Sequence, residues 1–177
     1  IVIPAFGEAD LLPNTLISLD NNDALILENT LVVVVINNAE NSSEFILKNN
    51  QITLNNLSSL QYNFTLGVVD ATSSGFAFPA KHSGVGLARK IGMDLALPCL
   101  STLESLIFCT DADTVVNKDY IKKVKTYFET TGAQAAVVGF RHLKSTDEKQ
   151  ELAIHQYEKY LFTTAEKMKN AGSPYGY

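Results

Sequence analysis

Leu106-Ile107-Phe108-Cys109-Thr110-Asp111-Ala112-Asp113-Thr114 is a hydrophobic run that ends in two carboxylates one residue apart. Four consecutive apolar residues read as a buried strand, with both Asp at its carboxyl end. In open α/β sheets that is the end where ligands bind. Two carboxylates this close repel when ionised, and a positive group between them relieves the cost. Oxygen ligands suit a hard cation such as Mg²⁺ or Mn²⁺, which also engages phosphates. The stretch therefore reads as a metal–phosphate site, with Asp111 and Asp113 as candidate ligands. A solvated turn whose Asp residues cap the next helix is the plainer alternative.

Strand and helix patterns alternate on both sides of this stretch. Residues 1–5, 31–36 and 62–69 read as strands, the second too continuously apolar to be half-exposed. Helical spacing of apolar residues covers 11–19, 43–60, 85–97, 118–130 and 148–170, with a further β-rich run at 135–140. Residues 71–83, rich in Thr, Ser, Gly and Pro, read as a loop. The order predicts an α/β sandwich, with a mostly parallel central sheet flanked by helices. With no repeat or linker, one domain over 1–177 is expected. Cys109 is expected in the core, as are Tyr157, Tyr160 and Phe162 of the last helix.

At 177 residues and 46% hydrophobic, the chain is long enough for one well-buried domain. A net charge of −5 argues against a general nucleic-acid or membrane-surface binder. Cys99 and Cys109 give neither a disulfide framework nor zinc spacing. A cytoplasmic setting is expected, extending to the inner face of the membrane. No apolar run reaches the ~18–20 residues that span a bilayer. The chain opens at Ile1 inside a strand-like run and stops at Gly176-Tyr177, so truncation at both ends is expected.

Three post-strand loops converge on one sheet edge in this reading. They are Phe6-Gly7-Glu8, Asn37-Asn38-Ala39-Glu40 and the Asp111 loop. Carboxylates and amides there can hydrogen-bond a ribose and a base and hold a metal on a diphosphate. Lys81, His82, Arg89 and Lys90 cluster at a helix start, where backbone N–H groups and cations suit a diphosphate. Gly84-Val85-Gly86-Leu87-Ala88-Arg89 is not a dinucleotide fingerprint: Arg89 replaces the third glycine and no strand directly precedes it.

Together these segments resemble the family 2 glycosyltransferases. Ile1-Val2-Ile3-Pro4-Ala5-Phe6-Gly7-Glu8 is similar to that family's first strand, and Thr15, Leu16 and Leu19 continue the match. Residues 32–38 resemble its second strand, with Asn37-Asn38 where acidic residues usually contact the base. His82-Ser83-Gly84-Val85-Gly86-Leu87-Ala88-Arg89-Lys90-Ile91-Gly92 is similar to its Gly-x-x-x-Ala-Arg-Asn-x-Gly helix start, and Asp111-Ala112-Asp113 to its DxD signature.

The resemblance implies a nucleotide-sugar-binding GT-A domain, a Rossmann-like sandwich. It implies transfer of a sugar from a nucleotide-diphosphate donor, UDP favoured, to a saccharide or lipid-linked hydroxyl, with inversion, as in polysaccharide biosynthesis. Pro4, Phe6 and Glu8 would border the nucleoside, and Asn38 or Asn37 would face the base. Arg89 and Lys81 would hold the nucleotide. Asp111 would sit near ribose and metal, and Asp113 would bind Mg²⁺ or Mn²⁺ directly. No acidic residue after Phe140 matches the family's catalytic base, which is expected beyond Tyr177.

Two rival readings accompany this one. Asp111-Ala112-Asp113-Thr114-Val115 also fits the nucleophile motif of haloacid-dehalogenase-type phosphohydrolases. The remaining chain lacks the later acidic pair that such enzymes need. A non-catalytic nucleotide-binding or scaffold module is the other.

Overall fold

The sheet is built around β2 (Leu31–Asn37), which is buried at every position except Leu31 in the computed structural model, which describes residues 1–173. β-branched side chains cover both faces of the strand, the pattern of a central parallel strand. Its neighbours run parallel to it: β1 (Val2–Ala5) sets Val2 opposite Val33, and β3 (Thr65–Ala71) sets Val68 opposite Val34. The order is β1-β2-β3. Helices α1 (Leu12–Asp20) and α2 (Ala24–Leu27) link β1 to β2, and α3 (Glu44–Leu57) links β2 to β3.

One face of the sheet buries Ile3, Val32, Val34 and Ile36 against Leu12, Leu16, Leu19 and Leu57. The other packs Val33 and Val35 against Ala88, Leu87 and Ile91 of α4 (Val85–Ala96). The expected α/β class and parallel sheet are therefore present. Helix α4 lies close because Gly92 has no side chain. A Cβ there would collide with Val2 Cγ1 and come within 3.0 Å of Val35 Cγ2.

The opening stretch departs from expectation. Residues 106–109 do not form a strand; Cys109 alone bridges to Val2, with Val2 N–H donating to Phe108 O (2.8 Å) and Thr110 N–H to Val2 O (3.2 Å). Proline explains why the ladder stops. Val2 turns its N–H toward this segment, so by alternation Pro4 faces it too, and Pro4 has no N–H to donate. Phe108 packs on the core, whereas Cys109, expected to be buried, is exposed on the opposite face.

Two compact units divide the chain, Ile1–Gln134 and Ala135–Tyr177. The first closes with α5 (Tyr120–Thr131), stopped by Gly132 in the left-handed region (φ 65°). The second is dominated by α6 (Glu148–Asn170), the helix expected there. Asp147 caps it, accepting from Lys149 N (2.8 Å) and Gln150 N (3.1 Å), and Lys167 and Lys169 sit at its negative end. No residue of α6 is buried, so the assignment of Tyr157, Tyr160 and Phe162 to a core is overturned. The β-rich run at 135–140 is not a strand either, and Val137 is 93% exposed. Its own unit offers no described strand to pair with, and an unpaired strand is not stable alone.

Candidate functional site

A cavity of about 530 Å³ opens at the carboxyl end of the parallel strands. That volume is of the size that small-molecule ligands occupy. Its walls come from four places: Pro4, Phe6 and Glu8 after β1; Asn37, Ala39 and Ser42 after β2; Ser83, Gly84, Val85 and Arg89 at the start of α4; and Asp111, Ala112 and Asp113. Most residues singled out in the sequence thus meet here. Lys81 and Asn38 do not line the cavity. Lys81 is exposed, and Asn38 is buried behind the wall.

The Asp111 loop is held from below by α1. Thr15 Oγ1 donates to Ala112 O (2.6 Å), Ser18 Oγ accepts from Val116 N (3.0 Å), and Asn22 Oδ1 accepts from Ile121 N (3.1 Å). Thr15 and Ser18 lie one turn apart on α1, and Asn22, just past its end, bonds the start of α5. Ala112 is buried between two exposed carboxylates, so the loop presents both Asp outward.

Charge is unevenly shared across the cavity. Arg89 Nη2 donates to Asp111 Oδ1 in an ion pair, whereas Asp113 makes no hydrogen bond or ion pair among the described residues. Burial, then the charges of Asp113 and Asp111, push the Glu8 carboxyl above its ordinary value. Three carboxyls therefore feel one another in one cavity. Lys90, the other cation of the α4 start, is paired with Asp94 along the helix.

Two buried side-chain polar atoms among the described residues have no protein partner, Asn37 Oδ1 and Arg89 Nε. Both residues line this cavity. Asn37 is only 3% exposed. A buried acceptor without a donor costs about 1–3 kcal/mol, so such atoms are rare and call for an explanation.

No sequence pattern singles out Asn50, which ties the loops together from α3. It is fully buried, its Oδ1 accepting from Gly7 N (2.9 Å) and its Nδ2 donating to Asn37 O (3.0 Å) and Asn38 Oδ1 (3.1 Å). Gly7 itself is required twice over. Its φ is +72°, and a Cβ there would lie 2.8 Å from Ile46 Cδ1. A polar residue inside a helix pattern looks solvent-facing until its distant partners are known.

The donor set suits a hard cation shared with a ligand rather than a closed protein cage. Among the described residues no three His, Cys, Asp or Glu are arranged to hold a metal by themselves. Mg²⁺ is commonly held by one or two carboxylates plus substrate phosphates. No helix among the described residues is long and apolar enough to cross a membrane.

No protein-family profile matches the chain, and no curated protein does. Among solved structures, the crystal structure of S. aureus TarS 1-349 is similar, with a TM-score of 0.45 and 17% identity. The similarity covers 81% of this chain and 39% of that one, so the chain spans about two fifths of its length.

Proposed function

We propose that the first unit is the nucleotide-sugar donor site of a family 2 glycosyltransferase, moving a sugar from a nucleotide diphosphate to a hydroxyl acceptor. The observation that carries this is that the two residues with orphaned buried atoms, Asn37 (Oδ1) and Arg89 (Nε), both line the cavity that Asp111 and Asp113 line. A ligand with an N–H donor at one end and a polyanion at the other satisfies both, and a nucleoside diphosphate is such a molecule.

In this reading Asn37 Oδ1 accepts from the imide N–H of the base, and the half-exposed Phe6 ring borders the nucleoside. Glu8 and Pro4 border the ribose. Arg89 binds the diphosphate as a fork, sharing its charge with Asp111. Asp113, free of other partners, would hold Mg²⁺ or Mn²⁺, with Asp111 beside it. Bound there, the cation neutralises the diphosphate leaving group. UDP-sugars are the favoured donors, and an inverting transfer to a saccharide or lipid-linked hydroxyl is the favoured outcome. No residue described here is assigned as the base that deprotonates the acceptor.

A phosphohydrolase reading would make Asp111 a nucleophile and Asp113 the acid/base. It leaves Asn37 unexplained. Saturation-transfer NMR with UDP- and GDP-sugars and Mn²⁺ tests the donor reading. Contacts to base and ribose protons of one donor class support it, and their absence for both, with turnover of p-nitrophenyl phosphate, contradicts it.

A further inference from the structure

We infer that Asn50 is the positioning residue of this site: one buried amide sets the relative height of the two cavity-wall segments that follow β1 and β2. The inference rests on the donor-site reading above. Asn50 sits in mid-α3 and touches no cavity surface, yet its side chain reaches every loop at the carboxyl end of the sheet. Oδ1 accepts from Gly7 N–H, between the cavity residues Phe6 and Glu8. One hydrogen of Nδ2 goes to Asn37 O and the other to Asn38 Oδ1. Thr72, just past β3, lies 3.4 Å from Nδ2 through its hydroxyl, which also donates to Asn38 Oδ1.

The chemistry of this knot admits few substitutes. It needs an acceptor facing one loop and two hydrogens facing another, at the reach of a single methylene. Asp supplies no hydrogens when ionised, Leu supplies nothing polar, and Gln is a methylene too long. Strand alternation puts Asn37 on the α4 face with Val33 and Val35, while the Asn38 side chain is consumed in the knot. Asn37 ends β2 in the ladder, whereas Gly7 and Glu8 lie past the end of β1, so Asn50, with Asn49 Oδ1 accepting from Ala9 N (2.9 Å), ties that loop to the end of β2. A small displacement of a binding group costs affinity steeply.

The test is UDP binding with Mn²⁺, by calorimetry, to wild type, Asn50→Asp, Asn50→Leu and Thr53→Ala. Thr53 is a buried α3 residue whose hydroxyl bonds only to Asn49 O of its own helix (3.1 Å). The Asn50 variants are expected to raise Kd on the order of tenfold at a temperature where they remain folded, and Thr53→Ala to leave it unchanged. Because Asn50 acts through Asn37, adding Asn37→Ala to Asn50→Leu is expected to cost less than the sum of the two. A merely structural residue would lower Tm and leave Kd and additivity untouched, which overturns the inference. If the Asn50 variants do not fold, Thr72→Val loosens the same knot at its rim, with a smaller rise in Kd expected and an unchanged Kd contradicting. Failure of wild type to bind overturns the donor reading itself. Binding by wild type with an equal Kd in the Asn50 variants overturns only this inference.

Discussion

Arg89 and Asp111, 22 residues apart in the chain, meet as an ion pair at the mouth of the cavity. Helix α4 brings the cation and the segment beside β1 brings the anion, so the pair joins two elements that the proposed donor site sets around the diphosphate. Arg89 Nε has no partner among the described residues. Arg89→Ala is therefore expected to weaken UDP binding more than uridine binding, by about 1.5–3 kcal/mol for the diphosphate, the range for a charge-assisted hydrogen bond. Parallel titrations of the two ligands check this, and equal losses contradict the role.

Gly92 gives a prediction about packing alone. A methyl group there collides with Val2 and crowds Val35, both in the centre of the sheet. Gly92→Ala should lower stability by about 1–3 kcal/mol, as overpacking does. Urea unfolding measures it, and an unchanged midpoint would show that α4 can slide outward freely.

How much of this was legible in the chain depends on how local the cause is. The continuous apolar run of β2 declares burial on both faces, and the spacing of α4 and α6 declares helices. The meeting of Glu8, Asn37, Arg89, Asp111 and Asp113 followed from placing loops at the carboxyl ends of parallel strands. What escaped depends on partners far away in sequence. Asn50, Thr15, Ser18 and Asn22 look like ordinary polar positions until their loops are docked. Cys109 looked buried because four apolar residues imply two covered faces, whereas Pro4 ends the ladder and leaves one face open. Residues 135–140 have strand composition, but composition supplies no neighbour. The choice between Asn37 and Asn38 turns on how far β2 extends: alternation carried through Asn37 puts it on the α4 face with Val33 and Val35.

Thr15 supports the Asp111 loop through one buried hydrogen bond to Ala112 O. Thr15→Val keeps the shape and leaves that carbonyl unpaired, at about 1–3 kcal/mol. Thermal unfolding should show the loss, and metal-dependent UDP affinity should fall with it. Lost stability with unchanged affinity would confine Thr15 to the fold.

Glu8 sets a pH dependence. Burial and the neighbouring Asp113 and Asp111 raise its folded-state value above the ordinary one. Between those two values the folded chain holds more protons than the unfolded one, so stability falls as pH rises through that window and stays lower above it. Glu8→Gln removes the repulsion. The variant should melt above wild type at pH 7, and the advantage should shrink as pH falls through the window. An advantage independent of pH would mean that burial and the neighbouring carboxyls do not raise Glu8.

Calorimetric titration decides whether the cavity is a metal-dependent nucleotide site. UDP and GDP are each titrated into the chain with Mn²⁺ and again with EDTA, and into Asp113→Asn. Asp113 is exposed, so that substitution should leave stability within about 0.5 kcal/mol. One nucleotide is expected to bind with Mn²⁺, and EDTA and Asp113→Asn are each expected to abolish the binding while the chain stays folded. Absence of binding by either nucleotide to the folded chain would contradict such a site, as would binding indifferent to EDTA and to Asp113.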